Sequence, residues 1–215
     1  MCSLRDFVFY LVSLFMATRL FRIRLLVYSC RLLVMTTYIA LLRAINLGSH
    51  NRVSMGDLRQ FLTTLGMRDA QTLLQSGNVV FKSTISSAAK LERLLEDGSE
   101  EHLGVKTEFF VRTASEWQSI ISANPFPKEA RSDPGFLLIM CLKHAPDASS
   151  VIALQKAISG REIVKAIGRE AYFVYPDGQG RSRLTLALIE KKLGTRGTGR
   201  NWNTVLKLGA LAEAT

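Results

Sequence analysis

Hydrophobic and polar positions switch between two periods along residues 37 to 213, and the switches mark the elements. Tyr38 to Arg43 is a short apolar run closed by a charge, the length of a buried strand, and the polar loop Asn46 to Val53 follows it. From Ser54 the period becomes helical. Met55, Leu58, Leu62 and Leu65 recur at near-helical spacing, Ser54 with Asp57 has the form of a capping box, and Gly66 ends the run. Strands over Thr72 to Gln75 and Asn78 to Lys82 flank Ser76-Gly77, the two-residue signature of a tight hairpin. Leu91, Leu94, Leu95 and Leu103 predict a helix over about 86 to 103, and Thr107 to Arg112 predicts the next strand. The order is βαββαβ.

Thr113 with Glu116 opens a further helix that carries Trp117, Ile120 and Ile121 on one side. It stops before Asn124-Pro125-Phe126-Pro127, where proline excludes continuation. This is the predicted joint, and 124 to 135 reads as a loop. The pattern then repeats: a strand over Phe136 to Leu142, a helix over Asp147 to Ile158, strands over Ile163 to Ile167 and Ala171 to Tyr175 around Gly168, a helix from Ser182 to Leu193, and a short extended piece at 195 to 200. A final helix, about 201 to 213, places Trp202, Val205, Leu206 and Gly209 on one face. The expected architecture is α+β: two successive ferredoxin-like (βαββαβ) units with antiparallel sheets, helices on one face of each, plus a C-terminal helix. The units are residues 35–123 and 124–215, with 1–34 an extension outside the fold.

That extension has its own pattern. Phe7 to Thr18 is apolar but shorter than the roughly 20 residues that span a bilayer, and Arg19, Arg22 and Arg24 interrupt it, so no membrane span is expected. The arginines also follow too closely for a signal peptide, while an Arg-rich presequence or a surface-lying helix stays open. The simplest expectation is translation from an upstream start, because Met35 leads directly into the first strand.

Composition adds bounds. Of 215 residues, 47% are apolar and 21% charged, with 15 glycines and 5 prolines, which excludes a disordered, collagenous or heptad-only chain. The net charge is +10, but it is local: residues 1 to 34 hold five arginines against Asp6, and residues 161 to 207 hold ten basic side chains against four acidic ones. An anionic partner is therefore expected. The 3 cysteines, Cys2, Cys30 and Cys141, form no disulfide framework, and a reducing cytoplasmic location is expected. His50, His102 and His144 lie far apart and predict no metal site.

Four polar segments exceed what the architecture needs. Arg43 and Asn46 leave the first strand with a guanidinium and an amide suited to an anion or a ligand carbonyl. Gln75, Ser76 and Asn78 either present donors to a ligand or simply make the hairpin turn. Asp177-Gly178-Gln179-Gly180-Arg181-Ser182-Arg183 runs through two glycines onto a predicted helix start, where free N–H groups bind anions, with Ser182 as N-cap the structural alternative. It is neither a dinucleotide fingerprint nor a P-loop. Thr195 to Thr204 repeats the design with Arg200, Asn201 and Asn203, and Trp202 shares the apolar face of Val205 and Leu206.

The segments Tyr38 to Asn46, Gln75 to Phe81, Ala123 to Pro127, Gly180 to Leu184 and Thr198 to Leu208 resemble the block pattern of the bacterial family called domain of unknown function 1697. The resemblance spans about 36 to 210 and implies a soluble α+β protein with two ferredoxin-like halves; it supplies no reaction. The chain departs from the pattern at Ala44, where the family more often has glycine, and at Gly199, where it usually has threonine. Ala44 narrows close ligand approach by a methyl group.

Three function classes follow. The first is a binding module for a phosphorylated small molecule or nucleotide between the halves, with Arg43, Asn46, Arg181, Arg200 and Asn203 as donors. The second is nucleic-acid binding through the basic 161 to 207 stretch, although Tyr172, Phe173 and Tyr175 do not make an RNP-like pattern. The third is an enzyme, for which no nucleophile, metal or paired-carboxylate motif is legible. No cofactor and no oligomeric state can be read from the pattern.

Overall fold

The computed structural model describes residues 35–46 and 52–215. The expectations for residues 1–34 lie outside it, as does most of the loop after Asn46. Eight strands run in chain order: β1 Thr36–Leu42, β2 Arg68–Leu73, β3 Asn78–Ser83, β4 Phe109–Thr113, β5 Leu137–Leu142, β6 Ile163–Ile167, β7 Glu170–Val174 and β8 Gly197–Asn201. They form two four-stranded antiparallel sheets of order β2-β3-β1-β4 and β6-β7-β5-β8, the ferredoxin-like order made twice.

The helices among the described residues are α1 Met55–Thr64, α2 Ala88–Leu103, α3 Ala114–Ser122, α4 Pro127–Ser132, α5 Ala148–Ala157, α6 Leu186–Leu193 and α7 Trp202–Ala214. Their ends follow capping chemistry. Ser54 accepts from the Asp57 amide, Thr113 and Glu116 cap each other reciprocally, and Gly104 and Gly194 close α2 and α6 in the left-handed conformation.

Three predicted boundaries move. The strand expected from Thr72 starts at Arg68, because β2 is a half-exposed edge strand whose bulge, with Asp69 at φ +53°, breaks the alternation a sequence pattern needs. The loop read at 124 to 135 contains α4, since Pro127 stands at the first helical turn, where proline is compatible with a helix. The helix expected from Ser182 begins at Leu186. Residues 179–181 make a short 3-10 turn, the Ser182 hydroxyl is engaged by Glu162, and Thr185 is the N-cap.

Three apolar cores fill the body. One lies between the first sheet and α1 and α2, and another between the second sheet and α5 and α6. The third is shared: Ile39, Leu41 and Phe110 from the first sheet and Leu137, Ile139 and Tyr172 from the second pack with Trp117 of α3 and Trp202 and Leu208 of α7. Trp117 Nε1 donates to the Val205 carbonyl at 2.9 Å, tying α3 to α7. Each sheet thus has helices on both sides, more than the single face expected. Residues 36–215 form one compact unit. No helix among the described residues is long and apolar enough to cross a membrane.

Candidate functional site

A cleft of about 510 Å³ opens where the end of β1 meets β8 and α6. The chain leaves β1 at Leu42 and turns through Arg43-Ala44-Ile45, with Ala44 at φ +53°. Ser76 of the hairpin, Leu138 and Met140 of β5, Tyr175, Leu184, and Leu186 and Ile189 of α6 supply further walls. β8 contributes Thr198, Gly199 and Arg200. A Cβ on Gly199 would stand 3.0 Å from the Leu138 side chain, so the glycine lets Leu138 pack against β8 at this wall of the cleft.

Arg200 is the chemically distinctive member. Its Nε donates to Asn78 Oδ1, Nη1 to Thr198 Oγ1 at 3.0 Å and Gly199 O at 2.8 Å, and Nη2 to the carbonyls of Leu42 at 3.0 Å, Ser76 at 2.9 Å and Gly77 at 3.3 Å. Every one of these acceptors is neutral. Burial, the dominant influence, pulls the guanidinium down to about 10, which still leaves it charged at neutral pH. A half-buried cation with full hydrogen bonding but no counter-charge is an unusual expense of stability.

Arg43 lines the same cleft under opposite conditions. Its Nη1 lies 3.4 Å from Glu108, its Nη2 3.1 Å from Glu190, and its Nε donates to Gly197 O at 3.3 Å. Arg196 pairs with the same two carboxylates, so this cluster is balanced. Tyr175, 2% exposed, also lines the cleft. Burial pushes its phenol up to about 12, and its hydroxyl has no hydrogen-bond partner among the described residues.

The residues singled out in the sequence thus separate into groups. Arg43, Ser76, Arg200 and Asn201 line one cleft. Asn78 lies buried beneath it, donating its amide protons to Leu73 O at 2.8 Å and Ser76 Oγ at 2.9 Å, while its oxygen accepts from Arg200 Nε. Asn201 also caps α7, accepting from the Thr204 amide at 2.9 Å. Asn46 and Gln75 sit at a separate loop depression, where the Asn46 side chain bonds Val53 and the Gln75 carbonyl. Arg181 and Ser182 line a different hollow of about 250 Å³, and neither belongs to the first turn of α6, whose N-cap is Thr185. Asn203 is exposed on α7 and lines none of these. Thr198, Tyr175 and Glu190 were not singled out as site residues. Thr198 shares β8 with Arg200, the one local signal available, whereas the contact between Arg43 and Glu190 spans 147 residues. Among the described residues no group of three or more His, Cys, Asp or Glu side chains converges as a metal ion would require.

Residues 35–172 match the family model described as protein of unknown function (DUF1697). The chain belongs to this family. Among solved structures, the DUF1697 chain is similar to the conserved bacterial protein SP0830 from Streptococcus pneumoniae, with a TM-score of 0.66 and 25% sequence identity over 83% of this chain and 99% of that one. No protein with a curated description matches it.

This DUF1697 chain also carries an internal twin of its cleft. Arg112 stands opposite Ile39 on β4 as Arg200 stands opposite Ile139 on β8. Arg112 Nη2 reaches across to Leu142 O at 2.9 Å and Arg169 O at 3.3 Å, the counterparts of Leu42 O and Gly77 O. Arg112 Nη1 also lies 3.9 Å from the Glu92 carboxylate, and the closest difference lies at Nε. Glu170, first residue of β7, takes the Arg112 Nε proton at 2.7 Å, whereas Asn78, first residue of β3, takes that of Arg200. The twin hollow holds only about 190 Å³ and is charge-balanced by the pairs Arg112–Glu170 and Arg169–Glu116.

Proposed function

We propose that the protein binds a small anionic molecule, a phosphorylated compound or a nucleotide, in the cleft between its two sheets. The supporting observation is the Arg200 guanidinium, half-buried and without a carboxylate at a concave surface of mixed apolar and polar lining. An anion near it would supply the missing counter-charge. At about 4 Å and an effective dielectric of about 20 that interaction is worth roughly 4 kcal/mol before desolvation of the ligand. The cleft volume lies within the range of small-molecule sites.

Nucleic-acid binding is less well supported. Tyr172, Phe173 and Tyr175 are buried, so they make no stacking platform, and Arg161, Arg169 and Arg196 of the basic stretch are each paired with an acid. A thermal-shift panel of nucleotides and sugar phosphates tests the proposal. A true ligand at 100 times its Kd stabilises by about 2.7 kcal/mol, saturably, and Arg200→Gln abolishes the effect while Arg200→Lys keeps part of it. A panel that never moves the transition, or moves it equally in Arg200→Gln, contradicts the proposal.

A further inference from the structure

The cleft wall is slightly more apolar than polar. Leu42, Leu138, Leu184, Leu186 and Ile189 supply much of its apolar part, and Leu186, 41% exposed, presents apolar surface to solvent. Its charge is a single unit, because the Arg43 and Arg196 cations are met by Glu108 and Glu190, and Arg200 is met by no acid. Two hydroxyls complete the polar set. Tyr175 has no protein partner among the described residues, and Thr198, 5% exposed, accepts from Arg200 and so keeps its own proton to donate. One cation cannot compensate a polyphosphate, whose remaining charges would be desolvated without partners.

We infer that the cleft selects a compound bearing one anionic group on an apolar body, and that Asn78 sets this charge preference by standing where the twin arginine has a carboxylate. The inference rests on the anion-binding reading above and narrows it. Asn78 is a positioning residue: fully buried, its amide protons fix its orientation toward Leu73 and Ser76, so its oxygen faces Arg200 as a neutral acceptor. Glu170 occupies the equivalent place in the other half and neutralises Arg112, and there the hollow is small. The two halves thus share one scaffold, and the amide-for-carboxylate difference at Asn78 and Glu170, with Glu92 a further carboxylate 3.9 Å from Arg112 Nη1, separates a charged cleft from a balanced one.

Calorimetric titration of the full chain with 1-naphthoate, 1-naphthyl phosphate, 1-naphthalenemethanol, inorganic phosphate and ATP tests this. At least one of the two naphthyl anions binds about tenfold or more tightly than the alcohol, inorganic phosphate and ATP, and which of the two wins identifies the head group as carboxylate or phosphate. In Asn78→Asp the preference over the alcohol falls toward unity while alcohol binding persists, a change in charge selectivity that simple loosening of the fold does not produce. Arg200→Gln gives the same readout if Asn78→Asp does not fold. Equal affinity for alcohol and anion in the natural chain overturns the inference. Tighter binding of ATP overturns it while leaving the anion site standing. Failure of every probe and of every nucleotide and sugar phosphate overturns both.

Discussion

Arg112 and Arg200 sit at equivalent positions on the fourth strand of each sheet and each donates Nη2 to the last residue of the other sheet's first strand, Leu142 at 2.9 Å and Leu42 at 3.0 Å. They differ in neutralisation, Arg112 by Glu170 with Glu92 at 3.9 Å and Arg200 by no acid, and this makes their removal unequal. Arg112→Gln leaves the Glu170 carboxylate without its buried partner and is expected to lower stability by about 3–5 kcal/mol. Arg200→Gln leaves only neutral carbonyls short of donors and relieves a desolvated charge, for a net loss of about 1–2 kcal/mol. Urea unfolding measures both; equal losses would contradict the asymmetry.

Gly77 is held by two constraints at once. Its φ is +69°, and a Cβ there would lie 2.8 Å from Leu42 Cβ and 2.6 Å from Ile45 Cδ1. Gly77→Ala combines a left-handed penalty of about 1–2 kcal/mol with overpacking, and a destabilisation of about 2–4 kcal/mol is expected in chemical denaturation. Because the Gly77 carbonyl accepts from both Leu42 N and Arg200, the same change is expected to weaken anion binding.

Ala44 takes the opposite sign. It adopts φ +53° where the family resemblance places glycine more often. Ala44→Gly removes about 1–2 kcal/mol of left-handed strain and restores about 0.5–1 kcal/mol of chain entropy to the unfolded state, so a net gain of roughly 0.5–1 kcal/mol is expected in the same denaturation measurement.

Much of this fold was legible because its central strands and caps obey local rules. β1 and β5 read as apolar runs since both faces of each are covered, and Ser54 and Thr113 capped as their chemistry demands. The two-residue hairpin expected at Ser76-Gly77 is instead a four-residue turn over 74–77, because Leu73 pairs with Asn78 and both Leu74 and Gly77 take positive φ. What failed locally was polar and irregular: the bulged edge of β2, and the glycine-rich approach to Arg181, which resembles that to Arg200 in sequence but folds into a 3-10 turn at a different hollow. Trp117 and Trp202 declared apolar faces but not that they pack into one core from α3 and α7. The site was half legible for the same reason. Arg43 and Arg200 stand out by type, while what distinguishes them, Glu190 and Asn78, lies 147 and 122 residues away.

The pH dependence of binding follows from Arg200. Burial lowers its folded-state value from 12.5 to about 10, so the charged form, which an anion needs, is fully present below that value. Affinity for an anion is expected to be level from neutral pH to about 9 and then to fall by up to about tenfold per pH unit as the free protein loses this proton. Tyr175, held near 12, does not titrate in that window. A titration series with circular dichroism as a folding control measures this, and a midpoint near pH 6–8 would assign binding to another group.

The salt dependence of anion binding in the natural chain and in Arg200→Gln probes the central claim most directly. With the tightest ligand of the panel, one uncompensated cation predicts a shallow decline, a slope of about 1 or less in log affinity against log salt, and loss of at least about tenfold affinity in Arg200→Gln at low salt. A steep slope of several units with a polynucleotide, or unchanged affinity in Arg200→Gln, would contradict a single uncompensated cation as the reason this cleft binds.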